Sequence, residues 1–162
     1  MSYLMNSSEI LQTIEMIGQQ HLDIRTVTMG ISLYDCVSED AGRLCDKIYD
    51  KITKTAEKLC PTAETIEKEY GIPIINKRVS VTPVSLVAGG IPEDRIIDVA
   101  RTMDRAADTL GINFIGGYSA LVHKGFSAGD EALIRSIPEA LSVTDNICSS
   151  VNIGSTKAGI NM

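Results

Sequence analysis

Tryptophan is absent from this sequence, phenylalanine occurs twice and tyrosine five times, so that aromatic residues make up only 4% of the chain. So few aromatic side chains argue against a platform on which single-stranded nucleic acid would stack. The formal net charge of -6 argues against nucleic acid in general, because proteins that bind it present basic surfaces. No apolar run is long enough to cross a bilayer, and the N-terminus lacks the regions of a signal peptide. We therefore expect a cytoplasmic protein with no nucleic-acid or membrane partner.

Cysteine and histidine are also scarce, with four and two residues respectively. The cysteines are widely and irregularly spaced, and no C-x-x-C pair or cysteine–histidine spacing typical of zinc sites occurs. Of the two histidines, His21 follows the first predicted helix and is expected at the surface. The sequence therefore predicts reduced thiols and no metal site, and it identifies no cofactor.

The 162 residues have the length of one domain, and 44% of them are hydrophobic. This apolar share is high for a single small domain, which favours an additional interface. Apolar periodicity predicts helices over residues 7–19, 38–59, 61–70, 92–110 and 130–141. β-branched and alternating stretches predict strands over residues 24–33, 74–82, 112–115 and 146–153. Helices and strands alternate, so we predict one α/β domain over residues 1–162, with a mostly parallel sheet or part of an α/β barrel.

Polar and small residues cluster at or near the predicted strands, and ligands bind at the carboxyl ends of parallel strands. Gly116 and Gly117 would let a ligand approach closely, with Tyr118 and Ser119 as hydrogen-bonding groups, or they would serve close packing with Tyr118 capping the core. Arg78 would clamp a carboxylate or phosphate, or else form an ion pair with one of the many acidic residues.

Two cysteines are candidates for chemistry at the same edge. Cys148 shares a strand face with Ser150 and Asn152, where it would act as a nucleophile or radical carrier, although packing as a small apolar residue is the favoured interpretation. Cys36 follows the first strand and is expected to be the more exposed of the two, at the same rim. His123 would be a general base, although most histidines are not.

The segment from Gly154 to Lys157 resembles a phosphate-binding loop only superficially. Its order is Gly-Ser-Thr-Lys, and the upstream glycine of G-x-x-x-x-G-K-[ST] is missing, so the P-loop interpretation fails. A looser anion site with Ser155 and Lys157 remains open, and so does a simple turn.

Four long motifs resemble the uncharacterised prokaryotic PFL family, whose name reflects a fold similar to pyruvate formate-lyase. They cover nearly the whole chain and are the stretches at 23–36, 71–83, 108–122 and 148–162. The resemblance implies a glycyl-radical-enzyme-like α/β barrel, a homodimer and an ACT-domain protein as a possible regulator. The family's members are longer. The resemblance therefore also implies that these residues are the N-terminal third of a barrel, which needs the rest of that barrel or a complementing chain. It implies no established activity, and the glycine loop of the radical enzymes has no counterpart in these residues, so Cys148 is not assigned a thiyl role.

Taken together, the sequence predicts a site for a small anionic metabolite at the strand ends. In a catalytic version Arg78 clamps the anion, Tyr118 or His123 donates a proton, and Cys36 or Cys148 is the nucleophile. In a non-catalytic regulatory subunit, Arg78 acts with Ser155 and Lys157 alone. A purely structural half-barrel is the third possibility.

Overall fold

A computed structural model describes residues 6–20 and 23–161, so the expectation for His21 lies outside the described residues. The helices are α1 (Ser7–Gly18), α2 (Ala41–Ala56), α3 (Leu59–Tyr70), α4 (Val84–Val87), α5 (Ile96–Leu110) and α6 (Ala128–Ser142). The strands are β1 (Ile24–Ile31), β2 (Ile74–Val81), β3 (Phe114–Leu121), β4 (Ile147–Asn152), β5 (Gly154–Ser155) and β6 (Gly159–Ile160). None of the described helices is long and apolar enough to span a membrane.

Strands β1 to β4 form one sheet in sequence order, and every neighbouring pair is parallel. Helical segments connect the strands, which is the arrangement that parallel pairing requires. Strands β5 and β6 form a separate small antiparallel pair. The predicted α/β class with a parallel sheet is therefore confirmed.

The core lies between one face of the sheet and helices α2, α5 and α6. Apolar residues of α2 recur at helical spacing and are buried, and Asp40 begins this helix by accepting a hydrogen bond from the Arg43 N–H. Helix α5 packs along α2 and ends at Gly111, which adopts φ 66°. Each sheet strand gives alternate residues to this core, among them Ile31, Val79, Ile115 and Ile147.

The prediction that β3 covers residues 112–115 is wrong, because the strand runs from Phe114 to Leu121. A bulge at Gly116 and Gly117 shifts the register with β4, and Gly117 adopts φ 121°. Two glycines in sequence indicated the end of a strand, whereas here they mark an irregularity inside one.

Smaller differences concern helix ends, where side-chain caps decide the boundary. Asn6, rather than Ser7, caps α1, and its partner in the capping box is Glu9. Helix α6 begins two residues earlier than predicted because Ser127 and Asp130 form another capping box. This helix continues through Pro138 to Ser142.

Candidate functional site

The two faces of the four-stranded sheet differ in cover and in chemistry. One face is buried under helices. On the other side, the alternate residues of β1 and β4 are exposed, whereas Asn76 and Arg78 of β2 are half-buried and Ser80 is exposed. We call this second side the open face. Its small and polar residues are Thr26, Thr28, Gly30, Asn76, Arg78, Ser80, Gly116, Ser119, Cys148, Ser150 and Asn152, and its larger apolar residues are Ile24, Phe114 and Leu121.

Strand register places the residues of the open face in rows across the sheet. In one row Thr28 pairs with Arg78, and Arg78 pairs with Phe114. In the next row Ser80 lies beside Gly116, which pairs with Cys148. Neighbouring strands are about 4.8 Å apart and alternate residues about 6.7 Å apart, so the Cα atoms of Arg78 and Cys148 are separated by about 12 Å.

Arg78 is the only charged residue among these open-face positions. Its guanidinium carbon lies 4.0 Å from the centroid of the Phe114 ring, a cation–π contact that orients the guanidinium. Its Nε atom is buried and has no hydrogen-bond partner in the described part of the chain. Among residues 6–20 and 23–161 Arg78 also forms no ion pair, so the alternative expectation of an acidic partner is not met there.

Cys148 is exposed on the open face, so the favoured expectation that it packs in the core is wrong. The reason is the strand's alternation, which turns Ile147 inward and Cys148 outward. The expectation that Cys36 is the more exposed of the two cysteines is also wrong. Its side chain is buried, and its Sγ lies 3.8 Å from a carboxylate oxygen of Asp35. Burial, followed by the charge of Asp35, raises the pKa of the Cys36 thiol.

Tyr118 lies on the covered side of the sheet because the bulge turns it toward the helices. Its side chain is fully buried, and its hydroxyl lies 2.6 Å from the Ser136 hydroxyl oxygen. Burial raises the pKa of the Tyr118 phenol. Ser119 is instead on the side of the open face, where its hydroxyl donates to the Gly117 carbonyl oxygen at 3.3 Å. Of the two alternatives that the sequence left open for Tyr118, the structure shows the one in which it packs in the core, while Ser119 lies on the other side of the sheet.

The remaining candidates lie beyond the carboxyl ends of the strands. His123 follows β3 and is half-buried, and its Nδ1 has no hydrogen-bond partner among the described residues. Ser155 and Lys157 belong to the β5–β6 hairpin, in which the Ser155 hydroxyl accepts a hydrogen bond from the Ala158 N–H at 3.0 Å. Asn152 is the last residue of β4 and lies on the open face, shortly before the β5–β6 hairpin begins at Gly154.

Arg78, Gly116, Ser119, Cys148 and Asn152 thus share the open face, whereas Tyr118 and Cys36 do not lie on it. Phe114 was missed by sequence reasoning because its contact with Arg78 depends on the register between two strands 36 residues apart. In the part of the chain that the structure describes, no group of three or more histidine, cysteine, aspartate or glutamate residues is arranged to hold a metal ion.

Comparison with known proteins finds a family model that matches residues 15–162, described as "Uncharacterised ACR (DUF711)". The chain belongs to this uncharacterised family. It is 60% identical over 158 residues to a UPF0210 protein of Clostridium botulinum (strain Alaska E43 / Type E3), covering 98% of this chain and 35% of the relative. A UPF0210 protein of Ruminiclostridium cellulolyticum is 61% identical over 154 residues, covering 95% of this chain and 34% of the relative. This family member therefore spans about a third of the length of these curated relatives.

Proposed function

We propose that the open face of the sheet binds a small anionic metabolite and that Arg78 is its principal anchor. The observation that carries the proposal is a single arginine, with no described acidic partner, on a sheet face of mostly small and polar residues. Parallel sheets usually have apolar residues and covering elements on both faces. A face of mostly small and polar residues is therefore better suited to a ligand than to a second packed apolar layer.

The chemistry of Arg78 favours a carboxylate or a phosphate. A guanidinium offers planar pairs of N–H donors, which match the two oxygens of either group. Phe114 restricts the plane of this guanidinium, so less side-chain freedom is lost on binding. Hydroxyl groups of Thr28 and Ser80 occupy neighbouring positions and would provide further hydrogen bonds.

The curated relatives are about three times as long as this chain, and their further residues would cover the open face. Strands β1 and β4 are the two edges of the sheet, and additional strands paired to them would close it into a barrel with the open face inside. The relation to pyruvate formate-lyase, the homodimer and the ACT-domain regulator remain predictions.

Isothermal titration calorimetry with inorganic phosphate, succinate and citrate as probes tests the site. We expect at least one probe to bind and Arg78→Met to weaken it about 10- to 100-fold, because a hydrogen bond to a charged group contributes about 1.5–3 kcal/mol. Arg43→Met removes an exposed arginine of α2 and is the matched control, with no expected change. Equal affinity of the Arg78→Met and control variants would overturn the proposal.

A thiol-dependent enzyme is the second candidate function, and the exposure of Cys148 on the same face favours it. A ligand anchored at Arg78 and extended across the sheet from β2 toward β4 would approach this thiol. Saturating concentrations of a bound probe should then slow the alkylation of Cys148 by iodoacetamide. Binding without protection, and without turnover of any probe, would favour the non-catalytic regulatory subunit.

A further inference from the structure

An apolar groove lies on the helix-covered side of the molecule, between β1 and α3. We call it the β1–α3 groove, and its volume is about 190 Å³. Helix α2 packs mainly along α5, which leaves the β1 end of this side only partly covered. The apolar side chains that line the groove are Val27, Met29, Leu59, Ala63, Ile66 and Ile74.

Helix α1 has an apolar stripe that no part of the described chain buries. Ile10, Leu11 and Ile14 are exposed to 46%, 66% and 60%, and α1 contains no buried residue. Asn6 and Glu9 form its capping box, so the N-terminal end of the helix is satisfied without tertiary contacts. Helices α1 and α3 both contain 12 residues, which corresponds to about 18 Å each.

The charges beside the two apolar surfaces are complementary. At 100° per residue, Glu9 and Glu15 flank the apolar stripe of α1 on opposite sides. Lys58 lines the β1–α3 groove, and Arg25 precedes Val27 by two residues on the same face of β1. Within residues 6–20 and 23–161, Glu15, Arg25 and Lys58 form no ion pair.

The position of α1 makes the groove accessible to it. Ile14 and Ile17 line a depression together with Gly71, the residue that ends α3. Only five residues separate the end of α1 from the start of β1, which itself forms one wall of the groove. We propose that α1 is a latch that docks in its own chain and lays its apolar stripe along α3 into the β1–α3 groove. In this arrangement Glu15 faces Arg25 near the C-terminal end of α3, and Glu9 faces Lys58 at its N-terminal end.

Because the chain contains no tryptophan, one introduced tryptophan reports on the docking without background. We expect Ile14→Trp to fluoresce at shorter wavelength than the control Gln12→Trp, whose side chain lies on the polar side of α1. Adding Ile66→Lys should shift the Ile14→Trp emission back to that of the control, because the lysine places a charge in the groove. Adding Ile75→Lys, at a similarly exposed isoleucine outside the groove, should leave the Ile14→Trp emission unchanged.

Three outcomes would overturn the latch. Emission equal to that of Gln12→Trp shows an undocked helix, and a blue shift that survives Ile66→Lys shows burial elsewhere. A blue shift that grows with protein concentration shows that α1 docks on a second copy.

If Ile66→Lys does not fold, as judged by circular dichroism, a charge-reversal experiment replaces it. Glu15→Lys and Arg25→Glu should each reduce the blue shift, and the double variant should regain it; no change in any of the three also overturns the proposal.

Discussion

The guanidinium of Arg78 stacks on the ring of Phe114 across the β2–β3 pairing, with 4.0 Å between the guanidinium carbon and the ring centroid. We expect a double-mutant cycle of Arg78→Met and Phe114→Leu to give a coupling free energy of about 0.5–1 kcal/mol in urea unfolding. Arg105 and Tyr49 form a longer contact of 4.8 Å at the surface and are the control pair. A coupling near zero for Arg78 and Phe114 would contradict a stabilising contact.

The bulge in β3 provides a matched pair of glycine substitutions. A Cβ atom at Gly117, where φ is 121°, would lie 2.5 Å from Val81 Cγ2 and 2.6 Å from the Val81 carbonyl oxygen. At Gly116 a Cβ atom would meet nothing within 4 Å. We expect Gly117→Ala to lower the free energy of unfolding by about 2 kcal/mol or more, whereas Gly116→Ala should cost less than about 1 kcal/mol. Chemical denaturation measures both, and equal losses would contradict the bulge.

The four cysteines should react with iodoacetamide in an order set by their exposure. Cys148 is exposed and Cys36 is buried. Burial raises the pKa of the Cys45 and Cys60 thiols, which lowers their thiolate fractions. Mass spectrometry of peptides after timed alkylation should therefore find Cys148 modified first and Cys36 last. Faster modification of Cys36 in the folded chain would show that its surroundings open readily.

Glu67 should make the stability of the chain depend on pH. Its carboxylate accepts a hydrogen bond from the Ile74 N–H at 2.6 Å and pairs with Lys77 at 3.3 Å. The Ile74 N–H, and after it Lys77, hold the pKa of Glu67 below its usual range. Because the folded-state pKa is the lower one, this stabilisation is present above the unfolded pKa of about 4.3 and is lost as pH falls through the folded value.

We therefore expect Glu67→Gln to lower the melting temperature at pH 7 and to have a smaller effect below about pH 4. Glu64→Gln is the control on the same helix, because Glu64 is exposed and forms no ion pair among the described residues. Melting curves followed by circular dichroism measure both variants. A Glu67→Gln effect that is constant across this pH range would show that the charge of Glu67 contributes nothing.

The sequence by itself determined the order of the main helices and strands, because apolar periodicity is a local property of the chain. The stripe of α2 and the alternation of β4 are both found where periodicity predicted them. Alternation also predicted correctly that Cys148, Ser150 and Asn152 share one face. The helix ends were less predictable, since Asn6 and Ser127 decide them through individual hydrogen bonds.

Only the tertiary structure decided which candidate residues lie together. The register between β2 and β3 places Arg78 on Phe114, and no local pattern encodes a pairing over that separation. The bulge at Gly117 turns Tyr118 into the core, and the turn after β1 buries Cys36. Both residues had been candidates for the site because their side chains can donate a proton or act as a nucleophile. Such placements depend on contacts between distant segments, so the amino-acid pattern leaves them open and the packed sheet fixes them.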